Sequence, residues 1–280
     1  MTLALSPSAP VPLLRCCALA LMACLAASPA QADEPLWELG LGFGALRLPH
    51  YRGSEQSHDW LLPVPFFVYR GEWLKSDREG TRAVLLDTGL AELDLSVGAS
   101  PPTRSAGNRA RAGMPDLAPT FEIGPNLSLR LARGDGWKVD LRLPLRAVLS
   151  AQGGLHGQGL TFSPVLNLDI RAQGWNIGLQ GGPLAASGAH HAYYYSVDPA
   201  FASAQRPAYR AGGGYAGWNA TLSASRRLAD GWVAGFVRSD SVAGASFADS
   251  PLVTRRHQFI VGVAVTWVFK VSDERVASGR

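Results

Sequence analysis

Hydrophobic and polar residues alternate along this chain in unusually long runs. From Trp137 to Ser150, Trp137, Val139, Leu141, Leu143, Leu145, Ala147 and Leu149 share one face. Lys138, Asp140, Arg142, Arg146 and Ser150 share the other, with Pro144 and Val148. This is period two over about fourteen residues, against about 5 to 6 for an ordinary soluble strand. The segment before it sets Phe121, Ile123, Leu127, Leu129 and Leu131 against Glu122, Asn126, Ser128 and Arg130. The segment after it sets Leu160, Phe162, Leu166, Leu168 and Ile170 against Thr161, Ser163, Asn167, Asp169 and Arg171. Near the C-terminus Phe259, Val261, Val263, Val265, Trp267 and Phe269 oppose Gly262, Ala264 and Thr266. Each strand has one apolar face and one polar, often charged, face.

That pattern alone fits a soluble sandwich, and the connections decide against it. Short turns at Arg70-Gly71-Glu72, Asp87-Thr88-Gly89, Arg133 to Gly136, Gln173-Gly174 and Asp230-Gly231 alternate with connections that are mostly long: Pro49 to Asp59, Ser100 to Ala118, Ala151 to Gly159, Ala185 to Gly214 and Ser239 to Val253. Trp73, Trp137, Trp175 and Trp232 each open the strand after a short turn. With Trp37 and Trp267 they are expected to ring one end of the molecule, as an interfacial aromatic girdle does. Short turns at one end and long loops at the other predict an all-β, transmembrane, antiparallel up-and-down β-barrel. Every crossing must change sides, so the strand number is even. The pattern gives ten strands, and dividing Trp73 to Asp87 at Arg78-Glu79-Gly80 adds two; twelve is the preferred count and ten the alternative. Closure is needed because an open sheet edge in hydrocarbon leaves backbone groups unpaired at several kcal/mol each. Pro125, Pro144 and Pro164 fall inside the expected strands, where each removes a ladder hydrogen bond, so bulges or strand ends are expected near them.

Composition narrows the setting. Residues 1–32 hold no Asp or Glu and one Arg, are apolar from Val11 to Ala27, and end on Ala30-Gln31-Ala32. This reads as a secretory signal cleaved before Asp33, ahead of a barrel over 33–269 and a polar tail over 270–280. Leu21-Met22-Ala23-Cys24 is a poor match to a lipoprotein box, since Met22 fits badly. All three cysteines, Cys16, Cys17 and Cys24, lie in the leader, which removes disulfides, thiol catalysis and cysteine zinc sites from the remainder. Without the leader the chain carries 25 basic and 22 acidic residues, intermixed, so no nucleic-acid partner is expected. No later apolar run approaches the ~18 to 20 residues of a membrane helix.

Little catalytic chemistry is legible. Gly40-x-Gly42-x-x-Ala45 matches the dinucleotide fingerprint formally, but Pro49 follows and no helical period opens there, so Gly40, Gly42 and Gly44 read as a small-residue face leaving room inside the barrel. Glu92, Asp94, Glu122, Arg130, Lys138, Asp140, Arg142, Arg146, Asp169 and Arg171 form an expected inward charge network. Mixed signs at that density should pair across strands and fill the lumen, whereas a selective pore favours rings of one sign. His190, His191, Tyr193, Tyr194, Tyr195 and Asp198 lie on the longest loop and read as a contact surface. There is no G-x-S-x-G elbow or H-E-x-x-H pair, and the six histidines are dispersed, so no catalytic, metal or cofactor residue is assigned.

Several segments carry a family resemblance: Pro49-His50-Tyr51-Arg52-Gly53-Ser54, Gly113-Met114-Pro115-Asp116-Leu117 before Thr120-Phe121-Glu122, Tyr193-Tyr194-Tyr195-Ser196-Val197-Asp198-Pro199, Pro207-Ala208-Tyr209 to Gly213-Gly214-Tyr215, and Asp249-Ser250-Pro251-Leu252-Val253. From about Leu36 to Phe269 the chain resembles the MipA/OmpV family. His50, where an acidic residue is more usual, and the extension after Phe269 depart from its pattern. The resemblance implies a Gram-negative outer-membrane barrel without enzymatic activity, in contact with outer-membrane lipid. For some members it implies a scaffold joining a murein lytic transglycosylase to a penicillin-binding murein synthase. A small-solute channel and an adhesin acting through the outer loops are the alternatives, and the resemblance supplies no site residues.

Overall fold

A computed structural model describes residues 34–77 and 80–276 of the chain. The proposed leader and its cleavage site lie outside the described residues, as do residues 277–280. Twelve antiparallel strands form the wall: β1 (Trp37–Pro49), β2 (Ser57–Arg70), β3 (Leu74–Asp77), β4 (Gly80–Asp87), β5 (Ala91–Ser100), β6 (Thr120–Gly134), β7 (Trp137–Ala151), β8 in two segments (Leu155–Phe162 and Val165–Ala172), β9 (Trp175–Ala186), β10 (Gly214–Leu228), β11 (Gly231–Ser241) and β12 (His257–Val271). Each pairs with the next, and β12 pairs back to β1 from Val261↔Arg47 to Val271↔Glu38, so the sheet closes.

Proline divides β8. Its first segment pairs with β7 from Ala151↔Leu155 to Leu145↔Phe162 and its second from Arg142↔Val165 to Trp137↔Ile170, with Ser163 and Pro164 between them. Opposite Pro125 the β6–β7 ladder keeps its register, passing from Ile123↔Ala147 to Asn126↔Pro144. The bulges fall elsewhere, at Arg130/Ala132 and Ala147/Leu149 among other places. The long connection expected over 151–159 is instead a hairpin turn at residues 152–154. Gly153 (φ 66°) and Gly154 (φ 145°) take the positive dihedrals that turn needs, and β8 begins at once at Leu155.

Gly40 and Gly42 do more than leave space. A Cβ at either would strike the β12 backbone, at the carbonyl oxygens of Trp267 and Val265, so these glycines permit the close approach at which β12 and β1 close the barrel.

The outer face is apolar, as hydrocarbon requires, with Phe43, Leu61, Leu85, Val263 and Leu222 all exposed. At the short-turn end Trp73, Trp137, Trp175 and Trp267 are exposed around the wall. Trp232 departs from the expected girdle. It pairs with Thr266, which faces the lumen beside Gly42, and its ring stacks on Phe66 with centroids 6.4 Å apart. It directly follows Gly231, whose neighbour across the ladder is outward-facing Trp267, so parity turns Trp232 inward.

The chain continues past Phe269 as structure. Arg275 and Val276 pair with Pro35 and Glu34, and Leu36 N donates to Glu274 O at 2.9 Å, joining the first and last described residues.

Candidate functional site: the lumen and its loop cap

Residues directly opposite in a ladder share a face, so the register sorts the lumen into two sides. On one side, β1 sends in Gly40, Gly42, Gly44 and Leu46, and β2 answers with Phe66, Val64, Leu62 and Trp60. Phe236 of β11 lies across Gly262 on the same apolar wall. On the other side, β3 to β8 present charge. Arg82 Nε donates to Glu92 at 3.1 Å and Arg82 Nη1 to Asp77 at 2.9 Å, while Lys75 Nζ reaches Glu92 at 2.8 Å. Arg146 meets Glu122 at 3.7 Å and donates to Ser96 Oγ at 3.1 Å. Lys138 lies between Asp140 (3.4 Å) and Asp169 (3.6 Å), with Arg130 3.9 Å from Asp140 and Arg142 3.9 Å from Asp169. Asp94 is fully buried and accepts from Asn126 Nδ2 at 2.8 Å. Arg171 is exposed at the short-turn end, where its backbone N donates to Gly136 O.

Two further charge clusters are absent from the sequence-derived set. Glu38, fully buried, accepts from Arg70 at 2.6 Å and Arg227 at 2.7 Å near the short-turn end. Asp240, also fully buried, binds Arg52 at 3.0 Å and Arg238 at 2.8 Å near the loop end. Each carboxylate offsets its desolvation with two guanidinium partners, the arrangement a buried charge requires. Arg238-x-Asp240 carried the signal of two charges on one strand face, but the long connection expected from Ser239 took Asp240 off the strand, which in fact runs to Ser241. Glu38 gave a weaker signal, a lone acid in a glycine-rich apolar strand.

The long loops fold over the lumen into a cap with its own apolar core of Tyr51, Leu117, Tyr195, Val197, Val242, Phe247 and Leu252. A short helix, α1 (Gly188–Tyr195), is capped by Ser187, whose Oγ accepts from His190 N at 3.5 Å. Tyr195 stacks face to face on Phe247 at 3.6 Å, and His191 packs against the same ring at 4.7 Å. His191 Nδ1 lies 2.7 Å from Gly212 O, and the Tyr195 hydroxyl donates to Arg52 O at 2.9 Å. Arg111 is buried and donates to the carbonyls of Tyr194 (3.0 Å) and Pro115 (3.1 Å).

Burial raises the hydroxyl pKa of Tyr195, and raises those of Tyr51 and Tyr194 to about 12. Burial, with His191 and Arg52 nearby, lowers His190 to about 4. The residues expected to form an outer contact surface are therefore placed differently. His191 and Tyr195 are buried, His190, Tyr193 and Tyr194 are half-buried within the cap, and exposed Asp198 accepts from Ala200 N at 2.9 Å to cap a short 3-10 turn. The reason is apolar: five aromatic or histidine rings on one helix bury more surface packed within the cap, against Phe247 among others, than displayed to water.

Beneath the cap lies a cavity of about 540 Å³ that reaches from Arg82 and Asp94 up to His190 and Tyr194. Among the described residues no three His, Cys, Asp or Glu side chains converge to hold a metal ion. The site is thus a capped, charge-lined lumen with one apolar wall.

No curated protein matches the chain. Among solved structures it is similar to an outer-membrane channel from Pseudomonas putida F1 (12% identity, TM-score 0.44, covering 87% of this chain and 100% of that one). It is also similar to an active-site mutant of the Escherichia coli outer-membrane phospholipase A (12%, TM-score 0.35, 86% and 93%) and to the Pseudomonas putida toluene transporter TodX (10%, TM-score 0.29, 89% and 72%). A family model described as MltA-interacting protein MipA matches residues 41–269, which is most of the sequence. The chain belongs to the MipA family and is an outer-membrane β-barrel.

Proposed function

We propose that this protein is a non-enzymatic docking protein for murein-remodelling enzymes, presenting its short-turn end to the periplasm. The observation that carries the reading is the ordered rim at that end, where Glu34–Pro35 pairs with Arg275–Val276 and Arg70, beside the first short turn, binds Pro35 O at 2.8 Å and Glu34 at 2.7 Å. A rigid surface binds with little ordering cost, which favours a docking role. Membership of a family described as interacting with MltA points to a lytic transglycosylase as partner, with a penicillin-binding murein synthase as the second component of the complex. The test is photocrosslinking in cells from exposed rim positions Asp135, Asp230 and Glu274. Capture of a lytic transglycosylase or a murein synthase supports docking; capture of neither, from barrels shown to be folded in the outer membrane, removes it.

A small-solute channel is the second reading, favoured by the cavity under the cap. Lumen ion pairs of mixed sign and the folded cap weigh against free conduction. Discrete conductance steps from the purified barrel in a planar bilayer would establish the channel.

A further inference from the structure

The outer face of the wall is not smooth. Between β9 and β2 it carries an apolar furrow of about 630 Å³, with Trp175 at one end and Leu61 at the other. The register shows what makes it. Ile177, Ala224, Gly235, Val263, Ala45 and Leu61 are successive ladder partners, so they form one outward row across six strands. Three of the six are alanine or glycine. Two residues away along the strands the side chains are larger, with Leu222 and Val237 on one flank and Val233 and Val265 on the other. The row also climbs. Counted from the short-turn end, it begins at the third residue of β9, passes the fifth of β10 and β11 and the ninth of β12 and β1, and ends at the tenth of β2. The furrow therefore runs obliquely from the periplasmic interface into the hydrocarbon.

Two observations point to an occupant. First, the fold gives no reason for Gly235. Its φ is not positive, and a Cβ there would meet nothing nearer than Gly262 O and Val263 Cγ1, both at 3.4 Å. Gly40 and Gly42, by contrast, have strand backbone pressed against them. A glycine inside a strand weakens it and packs nothing, so what Gly235 contributes is the space it leaves outside the wall. Second, Arg226 stands at the low end of the furrow with nothing anionic to hold. It faces Trp175 across the ladder, its guanidinium lies 5.7 Å from that ring's centroid, and it makes no ion pair or side-chain hydrogen bond with the described residues. Arg47, which is also outward, has Asp59 at 3.4 Å. At the height of the aromatic girdle an outward arginine lies among phospholipid phosphates, whose geometry its planar guanidinium matches.

The dimensions select the occupant. Same-face residues along a strand are about 6.6 Å apart, so a furrow one row wide holds one extended alkyl chain and excludes a helix about 10 Å across. From Ala224 to Leu61 is four interstrand spacings, about 19 Å. One leaflet is about 15 Å of hydrocarbon, so a chain of ordinary length fits when it lies obliquely. We infer that the furrow seats one acyl chain of a phospholipid from the periplasmic leaflet, with its phosphate on Arg226 over Trp175. The site is on the lipid-facing wall and does not depend on the docking role of the rim.

The test titrates the folded full barrel, stripped of lipid in dodecyl maltoside, with dioleoyl phosphatidylglycerol and counts bound molecules by native mass spectrometry. One molecule should bind about tenfold more tightly than those that follow. Gly235→Leu, which displaces the chain along about two methylenes, should weaken that first molecule about tenfold, to the level of the rest. Ala45→Leu, farther up the furrow, should act in the same way. The clearance at Gly235 lets that variant fold, as a heat-dependent gel shift verifies. Ala99→Leu, outward on β5 across the barrel, should change nothing. Arg226→Gln should abolish the preference for the phospholipid over dioleoylglycerol, which has the same chains and no phosphate. Binding without a distinct first molecule would overturn the proposal, as would a first molecule that neither furrow variant weakens. Equal binding of dioleoylglycerol by the unaltered barrel would overturn the phosphate contact. A dimeric barrel that Gly235→Leu makes monomeric would put a second copy in the furrow instead.

Discussion

The cap and the wall sort the same residue types in opposite directions. In the cap, Phe247, Leu252 and Val197 are buried while Arg109 and Asp198 face water. In the wall, Phe43, Val263 and Leu222 face outward while Glu38, Asp94 and Asp240 are fully buried. What differs is the solvent. Water drives the cap's apolar groups inward, and hydrocarbon removes that drive from the wall, so the wall's polar groups collect where ion pairing is possible. One chain therefore holds two cores, one apolar and one ionic, meeting where cap residue Arg52 grips wall residue Asp240.

The comparison breaks most visibly at Phe247. Phe247→Ala removes the ring stacked on Tyr195 and should cost about 3–5 kcal/mol in cap stability. Protease should then cut within 187–213 while the heat-dependent gel shift of the barrel persists; simultaneous loss of both would show that the two cores are one. Asp240→Ala tests the joint, since it leaves Arg52 and Arg238 without their shared carboxylate, and about 3 kcal/mol is expected. Urea unfolding in vesicles should show it, and cap protease sensitivity should rise as well.

A milder handle is pH. Because His190 titrates at about 4 in the folded cap and near 6.5 unfolded, the unfolded state binds more protons between those values. The contribution is complete above pH 6.5 and is lost as pH falls toward 4. Protease sensitivity of the cap should rise over that window, and His190→Gln should flatten the response. The smallest effect is expected at the outward, exposed pair Arg47–Asp59, 3.4 Å apart, where Arg47→Ala should change stability by less than about 1 kcal/mol.

Much of the wall was legible. Alternation located the strands, parity allowed Trp73 to Asp87 none or two crossings, and its division at Arg78-Glu79-Gly80 favoured the twelve that form the wall. The hairpin at residues 152–154 was missed because its two glycines follow polar Gln152 and resemble the start of a loop. Trp232 was misplaced because opening a strand after a turn fixes its height in the membrane but not its face; the face follows from pairing with Thr266. Of the candidate site, most of the expected charges were readable as alternating polar positions, though Arg171 lies exposed at the short-turn end, whereas Glu38 stood nearly alone. The loop aromatics suggested an exposed surface because sequence shows that rings are clustered and does not show whether another loop covers them. Phe247, more than fifty residues away, covers Tyr195.

By itself the sequence determined the period, the apolar outer face, the even strand count and the order of the crossings, since each depends on residues near one another in the chain and on the solvent they meet. Only the tertiary structure decided which carboxylate holds which arginine, that the loops form a packed cap, and that Ala224, Gly235 and Ala45 share one outward row. Those features are set by ladder register and closure between strands more than two hundred residues apart, where a shift of one residue turns every side chain to the other face.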